Sequence, residues 1–159
     1  MLRELKIEKN SLFSIETESE YYMILVMRDT ATDSAFPISI GPTEGASISI
    51  VVDDVSVPRP LTHDLFKNVI IGLGYMLSKV VVTELRDNTY YANIYLEKEG
   101  RPIIVIDSRP SDAIALALRF SSPIFIEEQV FMASLESEET KKFLEIAEKI
   151  IDRSKLGSA

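Results

Sequence analysis

Asp107-Ser-Arg-Pro-Ser-Asp-Ala-Ile-Ala-Leu-Ala-Leu-Arg119 is the stretch that decides how this chain of 159 residues folds. Pro110 suits the first position of a helix, and the carboxylate of Asp112 suits its first turn. The residues that follow are apolar on nearly every side, so this helix must be buried. Two carboxylates and a guanidinium lie at its start, and the sequence therefore predicts that a functional site lies there.

A second segment, Pro58-Arg-Pro-Leu-Thr-His-Asp-Leu65, repeats this pattern and contains His63, the only histidine of the chain. Thr62 is a suitable cap for a helix that runs to Leu73, because apolar residues then recur at helical spacing. Both segments place an Arg-Pro pair and an aspartate at the start of a helix. Together they predict one site, but they do not name a reaction.

An internal similarity extends the pattern to a third helix. Pro42-Thr-Glu-Gly-Ala-Ser-Ile-Ser-Ile50 aligns without gaps with the stretch from Pro110 to Leu118, and both follow a predicted strand. One interpretation is a β-α duplication. The other is the general preference for proline, hydroxyl and acidic residues at the start of any helix.

The remaining segments predict an α+β fold with a mixed, largely antiparallel sheet, three or four helices and, as one interpretation, an internal β-α duplication. The alternation of apolar residues predicts strands and one clear hairpin. The domain is expected to span residues 1–135, and an amphipathic charged helix with a frayed Gly-Ser-Ala end is expected in residues 136–159. The predicted strands are Leu12–Thr17, Tyr21–Arg28, Ala35–Ile40, Val80–Leu85, Tyr90–Glu97, Pro102–Asp107 and Pro123–Ile126.

Composition narrows the class of protein. With 46% hydrophobic and 26% charged residues, the chain can bury the core of one globular domain, which excludes disordered and fibrous proteins. The absence of cysteine excludes disulfides, thiolate zinc sites and a cysteine nucleophile. No apolar run approaches the roughly 20 residues of a membrane span, and the start lacks a signal peptide. We therefore expect a cytoplasmic protein without a membrane partner.

The formal net charge of −8 argues against binding nucleic acid by broad neutralisation of its phosphates. Arg59 and Arg109 are local exceptions to this acidity. Their positions are unfavourable, because a cation just before a helix N-terminus faces the positive end of the helix dipole. Either a neighbouring aspartate or a phosphate or carboxylate ligand could neutralise the charge of these arginines. Asp64 and Asp112 have the simpler explanation of stabilising the first turns of their helices.

Two further interpretations stay open. His63 is either a general base or metal ligand, or an ordinary half-buried residue at a helix start. Glu44, Asp107 and Asp112 would form a carboxylate cluster if the two similar helix starts converge. Oxygen ligands of that kind suit Mg²⁺ or Mn²⁺.

The same residues resemble the bifunctional nuclease domain family, to which both DNase and RNase activity is ascribed. The resemblance covers roughly residues 10 to 132. It implies a mixed α/β domain, a homo-oligomer, with a dimer expected first, and a nuclease that is a hydrolase of DNA and RNA. The similar blocks are Phe36-Pro-Ile-Ser-Ile-Gly-Pro-Thr-Glu44, Arg59-Pro-Leu-Thr-His-Asp-Leu65, Leu85-Arg-Asp87 and Asp107-Ser-Arg-Pro-Ser-Asp-Ala-Ile-Ala-Leu-Ala117.

A site that cuts both DNA and RNA cannot use the ribose 2′-hydroxyl as nucleophile, so water must attack. A divalent ion, Mg²⁺ or Mn²⁺, would activate that water and neutralise the charge that develops. The competing hypothesis is a non-enzymatic oligomeric protein that binds a small anion or a protein partner. The hypothesis implied by the resemblance assigns His63 and Asp64 to proton transfer, Arg59 and Arg109 to the substrate phosphate, and Asp107, Asp112 and Glu44 to the metal.

Overall fold

The computed structural model describes residues 1–156, which form eight β-strands and five α-helices. The predicted frayed end, residues 157–159, lies outside the described residues. The strands are β1 (Leu2–Lys6), β2 (Leu12–Glu16), β3 (Tyr21–Asp29), β4 (Ala35–Ile40), β5 (Met76–Arg86), β6 (Thr89–Glu97), β7 (Ile104–Ser108) and β8 (Ile124–Glu127). The helices are α1 (Pro42–Val52), α2 (Thr62–Gly72), α3 (Pro110–Phe120), α4 (Glu128–Glu136) and α5 (Glu138–Leu156).

All eight strands of residues 1–156 belong to one mixed sheet in the order β2-β3-β1-β8-β5-β6-β7, with β4 paired to β3. Every pair is antiparallel except β5 with β8. Strands β2 and β4 both pair with the middle of β3 and so lie on its opposite edges. The predicted α+β class with a mixed, largely antiparallel sheet is confirmed, and the short helix α4 brings the described helices to five.

The hairpin of β5 and β6 is confirmed, and its turn explains why the sequence signalled it so clearly. Asp87 and Asn88 have φ angles of 51° and 58°, which is the left-handed region that a tight two-residue hairpin turn requires. Aspartate and asparagine tolerate that region better than most residues. The hairpin continues into β7, so the predicted three-strand meander is present.

Strand β1 was not predicted. Three of its five residues are charged, and only Leu5 is buried, so its sequence carries little strand signal. The strand forms because β8 and the end of β3 offer it two edges to pair with. Tertiary pairing therefore decides this element, as is common for strands.

Helix α3 is the most buried helix of the described chain, as its composition predicts. Eight of its eleven residues are buried, and it packs against α1, α2, β5 and β6. Helix α1 lies close to strand β3 because Gly45 has no side chain. A Cβ atom at Gly45 would collide with the sulfur of Met23 in β3. The N-terminal ends of α1 and α3 lie side by side, and Arg109 at the start of α3 contacts Glu44 of α1.

The amphipathic helix α5 packs on the other part of the sheet. Phe143 and Ala147 are buried in a small cluster with Ile24 and Val26 of β3. None of the helices in residues 1–156 is long and apolar enough to cross a membrane.

Candidate active site

The N-terminal turns of α1 and α3 meet through one arginine. Arg109 donates a hydrogen bond from Nη2 to Oε1 of Glu44 at 3.0 Å and from Nε to Oδ2 of Asp112 at 2.9 Å. The two similar helix starts therefore do converge, as the carboxylate hypothesis requires. The guanidinium joins the two carboxylates, although its side chain is still 65% exposed.

His63 of α2 completes this group from the other motif. Its Nε2 lies 2.9 Å from Oδ1 of Asp112, and its Nδ1 lies 2.6 Å from the hydroxyl oxygen of Ser47 in α1. An ionised Asp112 accepts a hydrogen bond from the N–H at Nε2. In the neutral ring, Nδ1 therefore carries no proton and accepts a hydrogen bond from Ser47. In the protonated ring Nδ1 instead donates to the same oxygen. The Ser47 hydroxyl can therefore satisfy either form of the ring.

The aspartate of this group is held in its ionised form. Burial acts to raise the pKa of Asp112, but hydrogen bonds from Arg109 and His63 outweigh it and leave that pKa below its ordinary value. The same contacts with Asp112 and Glu44 raise the pKa of Arg109. Histidine, carboxylates and guanidinium are therefore arranged as a charged, hydrogen-bonded chain from Ser47 to Glu44.

Asp64, the neighbour of His63 in sequence, lies in a different contact. Its Oδ2 accepts the backbone N–H of Leu61 at 2.8 Å, and its Oδ1 accepts Nε of Arg119 at 2.7 Å. The hydrogen bond from Leu61, followed by that from Arg119, lowers the pKa of Asp64. The predicted cap at Thr62 is wrong, because Leu61 is the residue that flanks the helix and Asp64 satisfies its N–H.

Arg119 is the buried counterpart of Arg109. Its side chain is only 4% exposed, and it also donates to the carbonyl oxygens of Ala115 and Ser47. One guanidinium thus ties α1, α2 and α3 together behind the site. Lys67 of α2 adds a hydrogen bond to the carbonyl oxygen of Arg119.

The donors proposed for a metal only partly come together. Glu44 and Asp112 meet, but both accept hydrogen bonds from Arg109, whereas the exposed carboxylate of Asp107 makes no hydrogen bond or ion pair within residues 1–156. Across that same range, no group of three or more histidine or acidic side chains is arranged to hold a metal ion. In this arrangement the carboxylates fit Arg109 rather than a metal, and the Mg²⁺ or Mn²⁺ site stays a prediction.

Arg59 stands apart from the group. It lies exposed in the segment between α1 and α2, and its guanidinium has no hydrogen bond or ion pair with any residue of the described range. The structure therefore joins Glu44, His63, Arg109 and Asp112 but neither Arg59 nor Asp107. Asp64 is linked to the group through Arg119.

Two residues of this region were not predicted from the sequence. Ser47 is 8% exposed and lies one turn after Glu44 on α1, which brings it to the ring of His63. No local signal separates it from the nearby serines. Arg119 could have been found, because an arginine that ends an apolar buried helix requires a carboxylate partner.

Sequence comparisons match the part of the chain that contains the hydrogen-bonded group of Glu44, His63, Arg109 and Asp112. A model of the bifunctional nuclease domain matches residues 25–139. An uncharacterised protein of Mycobacterium tuberculosis (strain H37Rv) is 39% identical over 107 residues, which are 67% of this chain and 63% of that protein.

Two plant proteins are also similar. Bifunctional nuclease 1 of Oryza sativa subsp. indica is 26% identical over 118 residues, 73% of this chain and 36% of that protein. Bifunctional nuclease 2 of Arabidopsis thaliana is 31% identical over 104 residues, 64% of this chain and 31% of that protein. The aligned part therefore spans 63% of the mycobacterial relative and about a third of each plant relative.

Proposed function

The chain belongs to the bifunctional nuclease domain family, and on that premise we propose that it is a nuclease that hydrolyses phosphodiester bonds of DNA and RNA. The observation that supports this most is the hydrogen-bonded group of Glu44, His63, Arg109 and Asp112, which joins two motifs distant in sequence. A histidine paired with a carboxylate, next to an exposed guanidinium, is suited to proton transfer beside a phosphate.

Arg109 is the phosphate-binding residue of this proposal. Its Nε and Nη2 are engaged, whereas its Nη1 has no partner in residues 1–156, so the guanidinium keeps donors for a ligand. The two carboxylates hold the guanidinium in place, which lowers the entropy lost when a phosphate binds. Arg59, on its exposed loop, remains a second predicted phosphate contact.

His63 is the proton-transfer residue, and Asp112 takes the place that the sequence hypothesis gave to Asp64. Water attacks the phosphorus atom, and its proton passes to Nδ1 of His63, with Ser47 as the relay. Asp112 stabilises the imidazolium cation at Nε2, and the proton then passes to the leaving oxygen of the broken P–O bond. Asp112 thus positions the ring, Ser47 contacts its Nδ1 and relays the proton, and Asp64 has a structural role.

The requirement for Mg²⁺ or Mn²⁺ remains a prediction. Such an ion would activate the water and neutralise the charge that develops on the phosphate, but none of the steps above requires it. The predictions that concern Asp107 and a cytoplasmic location likewise rest on the sequence.

A second candidate is a non-enzymatic protein that binds an anion or a protein partner. One observation favours it: both nitrogens of His63 and both oxygens of Asp112 already have partners inside the protein, and the ring is only 11% exposed. A pair satisfied in this way could be purely structural.

Cleavage assays with purified protein separate the two candidates. Single- and double-stranded DNA and RNA are incubated with Mg²⁺, with Mn²⁺ or with a chelator, using the wild type, His63→Asn, Arg109→Gln and Arg101→Gln. Arg101 is an exposed arginine whose side chain makes no hydrogen bond or ion pair within residues 1–156, so it is the matched control. Cleavage that is lost in His63→Asn and Arg109→Gln but kept in Arg101→Gln supports the nuclease. Equal cleavage in all four proteins indicates a contaminant or another site, and none in the wild type favours the binding protein.

We also propose that the chain forms a homodimer through β7. This strand is the end of the sheet, and Ile104, Val105 and Ile106 are exposed on both of its faces. Unprotected apolar edge strands are rare in monomers, because they pair with other strands. A second copy is the partner that fits, since two β7 strands can pair antiparallel about a two-fold axis and extend both sheets.

Sedimentation velocity over a range of concentrations tests this dimer. Val105→Lys should shift the wild-type dimer to a monomer, because it places a charge in the new strand pair. Met132→Lys, at an exposed methionine on α4, is the control and should leave the dimer intact. A wild type that sediments as a monomer at all concentrations would exclude the proposal.

A further inference from the structure

The start of α3 has backbone N–H groups that find no partner within residues 1–156. Pro110 is its first residue and has no N–H, while the N–H groups of Ser111 and Asp112 lie before the first intrahelical hydrogen bond, from Ala113 to Arg109. No side chain of the described range caps these groups, because the carboxylate of Asp112 is bound to Arg109 and His63 instead. The positive end of this helix is therefore open to a ligand.

Ser111 is a second and independent observation at the same place. The residue is only 7% exposed, yet its hydroxyl makes no hydrogen bond within residues 1–156. It lines a cavity of about 260 Å³ next to α3. The described residues do not fully enclose its oxygen, so the hydroxyl is open to the cavity and can bond to a ligand or water there.

The cavity gathers donors from more than one element. Gly41, which flanks the start of α1, lines it together with Ser111, so the N-terminal ends of two helices border the same space. Arg109 lies on its wall, and although its guanidinium is paired with Glu44 and Asp112, its Nη1 has no partner in residues 1–156. Glu139 of α5 is the only acidic residue among the described residues of the wall. The other uncharged polar residues that line it are Ser39, Asn88, Thr89, Tyr90 and Thr140.

We propose that this cavity binds a phosphate group, through the Ser111 hydroxyl, the N–H groups of Ser111 and Asp112, and the guanidinium of Arg109. The donors outnumber the single carboxylate, and helix N-termini favour phosphate. The volume is near the lower end of ligand sites, so it suits a phosphate with part of its sugar. The inference rests on the proposed function in one respect: it assigns the phosphate to a nucleic-acid strand, next to the bond that is cleaved.

Binding is measured by NMR with the full chain and inorganic phosphate, followed by a thymidine dinucleotide as the strand probe. The backbone amide signals of Ser111 and Asp112 should shift with both probes. Ser111→Ala should weaken binding roughly tenfold, because one hydrogen bond to a charged group is lost. Ser14→Ala, at an exposed serine of β2 whose side chain makes no hydrogen bond with a described residue, should bind as the wild type does.

A further variant protects the test against a loss of folding. Glu139→Gln removes the one acidic group of the wall and should strengthen phosphate binding severalfold. Unchanged affinity in Ser111→Ala, or shifts confined to other amides, would overturn the proposal. A shift with inorganic phosphate but not with the dinucleotide would overturn the assignment to a strand.

The two proposals fail in different ways. Cleavage without phosphate binding at Ser111 would remove this inference and leave the nuclease in place. Binding at Ser111 without cleavage would support the anion site and count against the nuclease.

Discussion

In two places an aspartate in the first turn of a helix pairs with an arginine, and the two pairs have different surroundings. Asp64 satisfies the backbone N–H of Leu61 and pairs with Arg119, whose side chain is 4% exposed. Asp112 leaves its own backbone uncapped and pairs with Arg109, whose side chain is 65% exposed. The first pair is enclosed by three helices, and the second borders a cavity.

The difference shows how one sequence pattern can serve structure at one place and a site at another. Each of the three nitrogens of the Arg119 guanidinium donates a hydrogen bond to an atom of the protein, so its contribution is to stability. Arg109 keeps donors for a ligand, and its aspartate reaches across to His63 of the other motif. The exposure of the arginine side chain, 65% for Arg109 and 4% for Arg119, separates the two pairs.

The largest expected effect is on stability. Arg119→Met leaves the carboxylate of Asp64 and the carbonyl of Ser47 without their partner, and we expect a loss of about 3 kcal/mol in the free energy of unfolding. Arg109→Met, at the exposed pair, should cost less than about 1 kcal/mol. Urea unfolding of both variants measures the contrast, and equal losses would show that the two pairs are alike.

The next largest effect is on activity, and here the exposed Arg109 pair matters more than the buried Arg119 pair. Arg109→Gln should lower cleavage about a hundredfold, because a preorganised donor to the phosphate is lost. Arg109→Lys keeps the charge but not the paired donors, and should recover only part of the rate. Initial rates on a labelled strand decide this, and full activity in Arg109→Gln would place the phosphate elsewhere.

The pH dependence of stability sharpens the comparison further. The folded-state pKa of Asp64 lies below its unfolded value, mainly because of the hydrogen bond from Leu61. The unfolded chain therefore binds this proton more readily, so the stabilisation is present above the unfolded pKa and is lost as the pH falls through the folded pKa. The free energy of unfolding, measured from pH 7 down to pH 3, should fall less steeply in Asp64→Asn than in the wild type. A slope that Asp64→Asn leaves unchanged would contradict the role of this pair.

The smallest effect concerns the positioning of His63. Ser47→Ala removes the partner of Nδ1 and should cost about 1 kcal/mol of stability. It should also change the nitrogen-15 NMR signal of Nδ1 and the pH profile of cleavage, which a purely structural serine would not do. Ser49→Ala on the same helix is the control, because the hydroxyl of Ser49 makes no hydrogen bond with a described residue. A ring signal identical in both variants would remove Ser47 from this role.

Much of the fold could be predicted because its signals are local. The hairpin of β5 and β6 depends on two turn residues and on alternation, and the burial of α3 depends on its composition. The resemblance to the family, based on four blocks of sequence, is confirmed by the match over residues 25–139. Strand β1 was missed because its pairing partners, and not its own residues, determine it.

The sequence by itself determined which residue types are present at the helix starts and that one helix must be buried behind them. Only the tertiary structure decided which of these residues meet. His63 contacts Asp112, 49 positions away, rather than its neighbour Asp64. The physical reason is helix geometry: successive side chains point about 100° apart, so His63 and Asp64 face different helices. Which helix lies on each side is set by packing, and no local pattern in the chain encodes it.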